Sequence, residues 1–115
     1  MTIKECYEKI GGNYDEVLRR MMKEERVLKF LKMFLQDPTF QTLCQEMDNQ
    51  NYPEAFRAAH TLKGLCQNMA FTWLSEPAVE LTECLRDGTM KDGALEYLAQ
   101  VKERYQVTCE EIQKL

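Results

Sequence analysis

His60, the only histidine in the chain, is followed by Lys63 and Gly64 three and four residues on, and is preceded by Phe56 four residues back. On an α-helix those spacings put all four on neighbouring turns of one face. Neutral imidazole is a capable nucleophile near pH 7 without activation, which serine and lysine are not. A phosphoryl group on that ring gains from the Lys63 ammonium on the adjacent turn. Gly64 leaves open space in which a partner bearing an acyl phosphate can approach in line. A lone histidine on a helix surface is ordinarily a solvated polar residue. Two features weigh against that reading here. A glycine inside a helix costs about 1 kcal/mol relative to alanine, so something needs the missing side chain. Phe56 is a large apolar group outside the core direction, as a contact surface requires.

The element that must position these residues is a helix expected over about 52–69. Asn51 and Glu54 have capping-box spacing, and Pro53 is tolerated in a first turn. At 100° per residue, Ala55, Ala59, Leu62, Cys66 and Met69 fall within about 40° of one direction, the core face, and His60 lies about 140° from it. Phe56, Lys63, Gly64 and Gln67 share the outward strip with His60, and Phe71 joins it if the helix continues that far.

The remaining elements also read as helices. Thr2 with Glu5 opens a short one that stops at Gly11-Gly12, and Asn13 with Glu16 starts another. Its stripe of Val17, Leu18, Met21 and Met22 continues through Val27, Leu28, Leu31, Phe34 and Leu35 until Asp37-Pro38 interrupts. Phe40, Leu43, Cys44 and Met47 mark the next helix, which the polar run 48–51 ends. A further helix covers roughly 73–86, with Trp73 anchoring its start, Pro77 near that start or kinking it, and Gly88 beyond its end. Asp92 caps a last helix carrying Leu95, Leu98, Val101, Tyr105, Cys109 and Ile112. Nothing alternates with period two over a strand's length. The fold class is therefore all-α, an antiparallel helical bundle.

Composition removes most other chemistries. The 115 residues predict one domain over 1–115. Fifteen Lys+Arg against 19 Asp+Glu give a net charge of −4, without the basic footprint of a nucleic-acid binder. No apolar run exceeds three residues, which argues against a membrane span or a secretory segment and for the cytoplasm. One histidine cannot build a di-iron bundle or a Cys2His2 zinc site. The five cysteines, at 6, 44, 66, 84 and 109, stand too far apart for Cys-x-x-Cys and read as reduced thiols on apolar faces. No phosphate-cradling glycine loop or serine elbow is present, and neither a metal nor another cofactor is expected. Arg19, Arg20, Lys23, Arg26, Lys29 and Lys32 read as a solvated basic face, Glu24-Glu25 and Glu110-Glu111 as surface pairs, and the seven Met and five Phe as core.

With the residues set out, His60-Thr61-Leu62-Lys63-Gly64, followed by Met69-Ala70-Phe71, Leu74, Leu81 and Glu83, resembles the histidine-containing phosphotransfer (HPt) domain. The resemblance covers nearly the whole chain. It implies a four-helix bundle, here with an additional short N-terminal helix or helices, and an exposed histidine that exchanges phosphoryl groups with receiver-domain aspartates. By position, His60 is the phosphorylated residue, Lys63 the neutralising cation and Gly64 the clearance, with Phe56, Gln67 and Phe71 on the receiver-docking surface. Partners are then receiver domains, with a hybrid histidine kinase as a further candidate, and the module acts as a monomer. At 115 residues there is no room for an ATP-binding domain, so the chain is a phosphoryl carrier rather than a kinase. Four positions depart from the family pattern. Ala70 replaces a glycine, a conservative change expected to tighten helix packing, and Leu65 and Gln67 replace small residues near the histidine. Thr82 stands where Gln or Glu often braces the imidazole. These departures motivate an alternative, a bundle that binds receivers without transferring phosphate; a helical bundle with an unrelated partner is the third reading.

Overall fold

A computed structural model describes residues 1–115. Seven α-helices follow one another: α1 Ile3–Lys9, α2 Tyr14–Met21, α3 Glu24–Gln36, α4 Thr39–Asp48, α5 Tyr52–Asn68, α6 Thr72–Cys84 and α7 Ala94–Gln113, with a 3-10 turn at Arg86–Gly88. The start signals act as the spacing predicts. Thr2 and Glu5 close a reciprocal capping box on α1, and the Asn13 and Asn51 side chains accept from Glu16 N and Glu54 N.

Two boundaries differ from expectation. The stripe from Val17 to Leu35 is broken at Met22, which takes a left-handed conformation (φ 77°) and is 76% exposed. Residues 22–26 are all exposed, so the apolar phase is lost there and α3 begins anew at Glu24. At α7 the cap is Gly93, at φ 91°, and not Asp92, whose carbonyl instead accepts from the Cys84 thiol at 3.6 Å. The buried face of α7 runs Ala94, Leu98, Val101, Tyr105, Thr108, Ile112, leaving Leu95 62% exposed and Cys109 half-buried. Alternating steps of four and three hold that row in one stripe, and Thr108 is tolerated in it because its hydroxyl donates to Arg104 O at 2.8 Å. The methionines divide: Met21, Met47 and Met69 are buried, whereas Met1, Met22, Met33 and Met90 are exposed.

One cluster of 27 buried hydrophobic residues draws on all seven helices. Within it α4 packs on α5, α5 on α6 and α6 on α7, while α1 and α3 also reach α7. A chain of aromatic contacts crosses the molecule. Tyr7 meets Phe71 (5.8 Å between ring centroids), Phe71 meets Phe34 edge-on (5.1 Å), Phe34 meets Tyr105 (5.6 Å), and Tyr105 stacks on Phe40 (3.9 Å). Phe71 is thus fully buried and does not lie on the outward strip. The cause is the end of α5 at Asn68. Ala70 turns left-handed (φ 57°), its N–H donates to Gln67 O and that of Phe71 donates to Cys66 O, which sends Phe71 inward. Ala70 therefore does not tighten helix packing; it occupies a left-handed turn that favours glycine, at a cost of about 1 kcal/mol.

The N-terminal segment holds this turn down. The last carbonyls of a helix have no partner within it. Here Arg20 Nη1 donates to Gln67 O (2.7 Å) and Asn68 O (2.8 Å), Tyr7 OH to Met69 O (2.8 Å), and Asn13 N to Ala70 O (2.9 Å). Arg20 is consequently a cap at the negative end of α5 rather than one more member of a solvated basic face.

Candidate functional site

Midway along α5, His60 is exposed, while Ala55, Ala59, Leu62, Cys66 and Met69 are all buried as the wheel requires. Phe56 is half-buried, its ring centroid 6.1 Å from that of the imidazole. Lys63 is half-buried and Gln67 exposed. A Cβ added at Gly64 would meet no heavy atom within 4 Å, so the space above this glycine is open to a partner. The structure thus gathers His60, Phe56, Lys63, Gly64 and Gln67 on one face and leaves Phe71 out. Surface hollows lie beside Glu76, Tyr97 and Arg104 and beside Arg20, Arg26 and Asn68, and another borders α5 at Glu54, Arg57 and Thr61. His60 lines none of these hollows, and an exposed imidazole so placed is suited to a macromolecular partner rather than a small ligand.

Two charged residues come to this face from outside α5. The Arg86 guanidinium lies over the Phe56 ring, 5.3 Å from its centroid. It also grips Glu83 with two hydrogen bonds, Nε to Oε2 at 2.9 Å and Nη2 to Oε1 at 2.7 Å. The bond from Arg86 holds the Glu83 carboxyl below its ordinary range, with Lys63 and Lys91 adding to the effect. The 3-10 turn is fixed against the start of α5 by Gly88, at φ +72°, where a Cβ would meet Pro53 Cγ at 3.0 Å. Sequence spacing on α5 has no means of finding Arg86, because the contact is made through a different element; an arginine at the expected end of the preceding helix was its only trace.

The departures from the family pattern take definite places. Leu65 is half-buried against the core and does not stand free beside the histidine. Thr82 is fully buried on α6 and donates to Ala78 O at 2.7 Å, so its hydroxyl is committed to its own helix and does not brace the imidazole. Of the cysteines, Cys6 and Cys66 are buried and the other three half-buried. Glu111, expected at the surface, has one carboxylate oxygen buried without a hydrogen-bond partner while the other accepts from Lys114 at 3.0 Å.

No helix is long and apolar enough to cross a membrane. A family model described as the Hpt domain matches residues 29–113, from within α3 to the end of α7, with His60 inside the match and α1 and α2 outside it. No curated protein and no solved structure matches the chain.

Proposed function

The chain belongs to the Hpt domain family, whose members carry phosphoryl groups on histidine in two-component systems without kinase activity of their own, and on that premise we propose that His60 accepts a phosphoryl group from a receiver-domain aspartate and passes it to another. The observation that carries this reading is the exposed imidazole on α5 with Lys63 one turn on and open space above Gly64. In the forward step the lone pair of Nε2 attacks the phosphorus of the aspartyl phosphate. A P–N bond forms as the P–O bond breaks, and the aspartate carboxylate leaves with the electron pair. The positive charge left on the ring disappears when the Nδ1 proton passes to solvent. Lys63 offsets the phosphoryl charge, Gly64 admits the receiver in line, and Phe56 and Gln67 form part of the docking surface. The whole face belongs to one chain, so a monomer suffices. A hybrid histidine kinase is the further candidate donor, and the cytoplasm, where such partners act, is the proposed location.

Incubation with a phosphorylated receiver tests this. The expected product is an acid-labile, base-stable adduct on the chain that vanishes in His60→Gln while helicity is unchanged. Persistence of the adduct in that variant overturns the assignment. The buried Thr82 favours one second reading, docking without transfer, because nothing from α6 braces the ring. Under it receiver affinity survives His60→Gln and no donor yields phosphohistidine.

A further inference from the structure

Glu83, one of the positions that carry the family resemblance, stands at the end of α6 among cations. It lies in the field of three cations, Lys63 on α5, Arg86 on the 3-10 turn and Lys91 beyond it, and is bonded to Arg86 through both oxygens. Arg86 in turn rests on Phe56, whose ring adjoins that of His60, so the guanidinium carbon is no further than 11.4 Å from the imidazole centroid. Both members of the ion pair are about half exposed, at 46% and 55% of their side-chain surface. Ion pairs so exposed contribute little to folding, so this one breaks without disturbing the bundle.

We propose that Glu83 and Arg86 form an exchange latch: Arg86 sits on Glu83 while His60 is bare and moves to the phosphoryl group once His60 carries one. The inference rests on the phosphotransfer reading of His60 and assigns that site a second phosphate-holding cation and a carboxylate that competes for it. A phosphoryl group offers three acceptor oxygens and nearly two negative charges, against two oxygens and one charge on Glu83. The planar guanidinium fork matches either anion, and the stronger one wins it. Phe56 keeps the guanidinium over its ring face during the exchange, and Gly88 against Pro53 keeps the turn beside α5. Glu83, released, retains Lys63 and Lys91 as neighbours.

The unsubstituted chain, Glu83→Gln, Arg86→Gln and the double variant are phosphorylated with phosphoramidate, whose P–N bond breaks with loss of ammonia. The donor is then removed and the decay of phosphohistidine followed at neutral pH with no receiver present. Arg86→Gln should shorten the half-life about fivefold, the loss of one charge-assisted contact to the phosphoryl group. Glu83→Gln should lengthen it about threefold by freeing the arginine, as removal of an exposed competing charge allows. The double variant should match Arg86→Gln, because Glu83 acts through Arg86. In the unsubstituted chain the Arg86 Nε–H resonance should move on phosphorylation, a change that a purely structural ion pair does not show. Additive effects in the double variant overturn the exchange, since Glu83 then acts on the phosphoryl group directly. Unchanged half-lives in both single variants overturn the latch and leave phosphotransfer standing. Failure of the unsubstituted chain to take up any phosphoryl group overturns both.

Discussion

Gly64 concentrates the conflict between stability and function at the residue scale. Nothing within the molecule fills the space beside it, so a methyl group there meets no obstacle and removes the backbone freedom that glycine brings to the unfolded chain. Gly64→Ala should therefore raise stability by about 1 kcal/mol, or roughly 4 °C in Tm, as read by thermal denaturation. Gly64→Leu should fold equally well and lose most phosphoryl transfer from a receiver, because the larger side chain stands in the approach path. Retained transfer in Gly64→Leu would remove the clearance role. Phe56 and Phe71 show a different lesson at the same scale. Both sit near the histidine in sequence and both are aromatic, yet Phe56 stays beside the imidazole while Phe71 joins the core against Tyr7 and Phe34. A single left-handed residue, Ala70, separates their fates.

Helix α6 carries its own defect and its own repair. Pro77 has no N–H to offer the carbonyl four residues back, that of Trp73. Arg104 on α7 donates to that carbonyl at 2.7 Å, pairs with Glu76 at 3.0 Å, and lies over the Trp73 ring at 4.9 Å. The proline thereby ties α6 to α7 instead of only weakening α6. Arg104→Ala should destabilise the chain by about 1–3 kcal/mol in urea unfolding, the range for stranding a partly buried acceptor. In a Pro77→Ala background the same substitution should cost less, since residue 77 then supplies the missing N–H. Equal costs in the two backgrounds would show that Arg104 acts only through Glu76 and the indole. The end of α5 is managed similarly by Tyr7, Asn13 and Arg20, all from residues that precede the family match.

The chain as a whole measures 40 × 23 × 20 Å with a radius of gyration of 14.1 Å, slightly above the roughly 13 Å of a sphere-like domain this size, as its elongated shape requires. Its core takes thiols in as small apolar groups. Burial pushes the Cys66 thiol up to about 12, and burial with help from the Glu111 carboxylate pushes that of Cys6 to about 11, from an ordinary 9.0. In the unfolded chain these thiols ionise near 9, so between pH 9 and 11 the unfolded state releases protons that the folded state keeps, and stability falls as pH rises. Under reducing conditions the urea midpoint should therefore drop between pH 8 and pH 10.5, and Cys66→Ala should flatten that slope. A slope unchanged by the substitution would place the alkaline loss elsewhere.

The all-helical class, the caps at Thr2, Asn13 and Asn51, and the inward and outward faces of α5 were legible because each depends on residues within one or two turns of each other. So was the pairing of His60 with Lys63 and Gly64, which helical geometry alone enforces. The break at Met22 and the Gly93 cap were harder to read, since weak local preferences there are decided by which side chains the core accepts. Arg86 on Phe56, Arg104 on the Trp73 carbonyl and Arg20 on the end of α5 are not written in any local pattern. Each joins residues far apart in the chain, and only the packing of one helix on another brings a long cationic side chain to its acceptor. Local hydrogen bonding and periodicity thus determined where the imidazole points, and tertiary packing decided which charges stand around it.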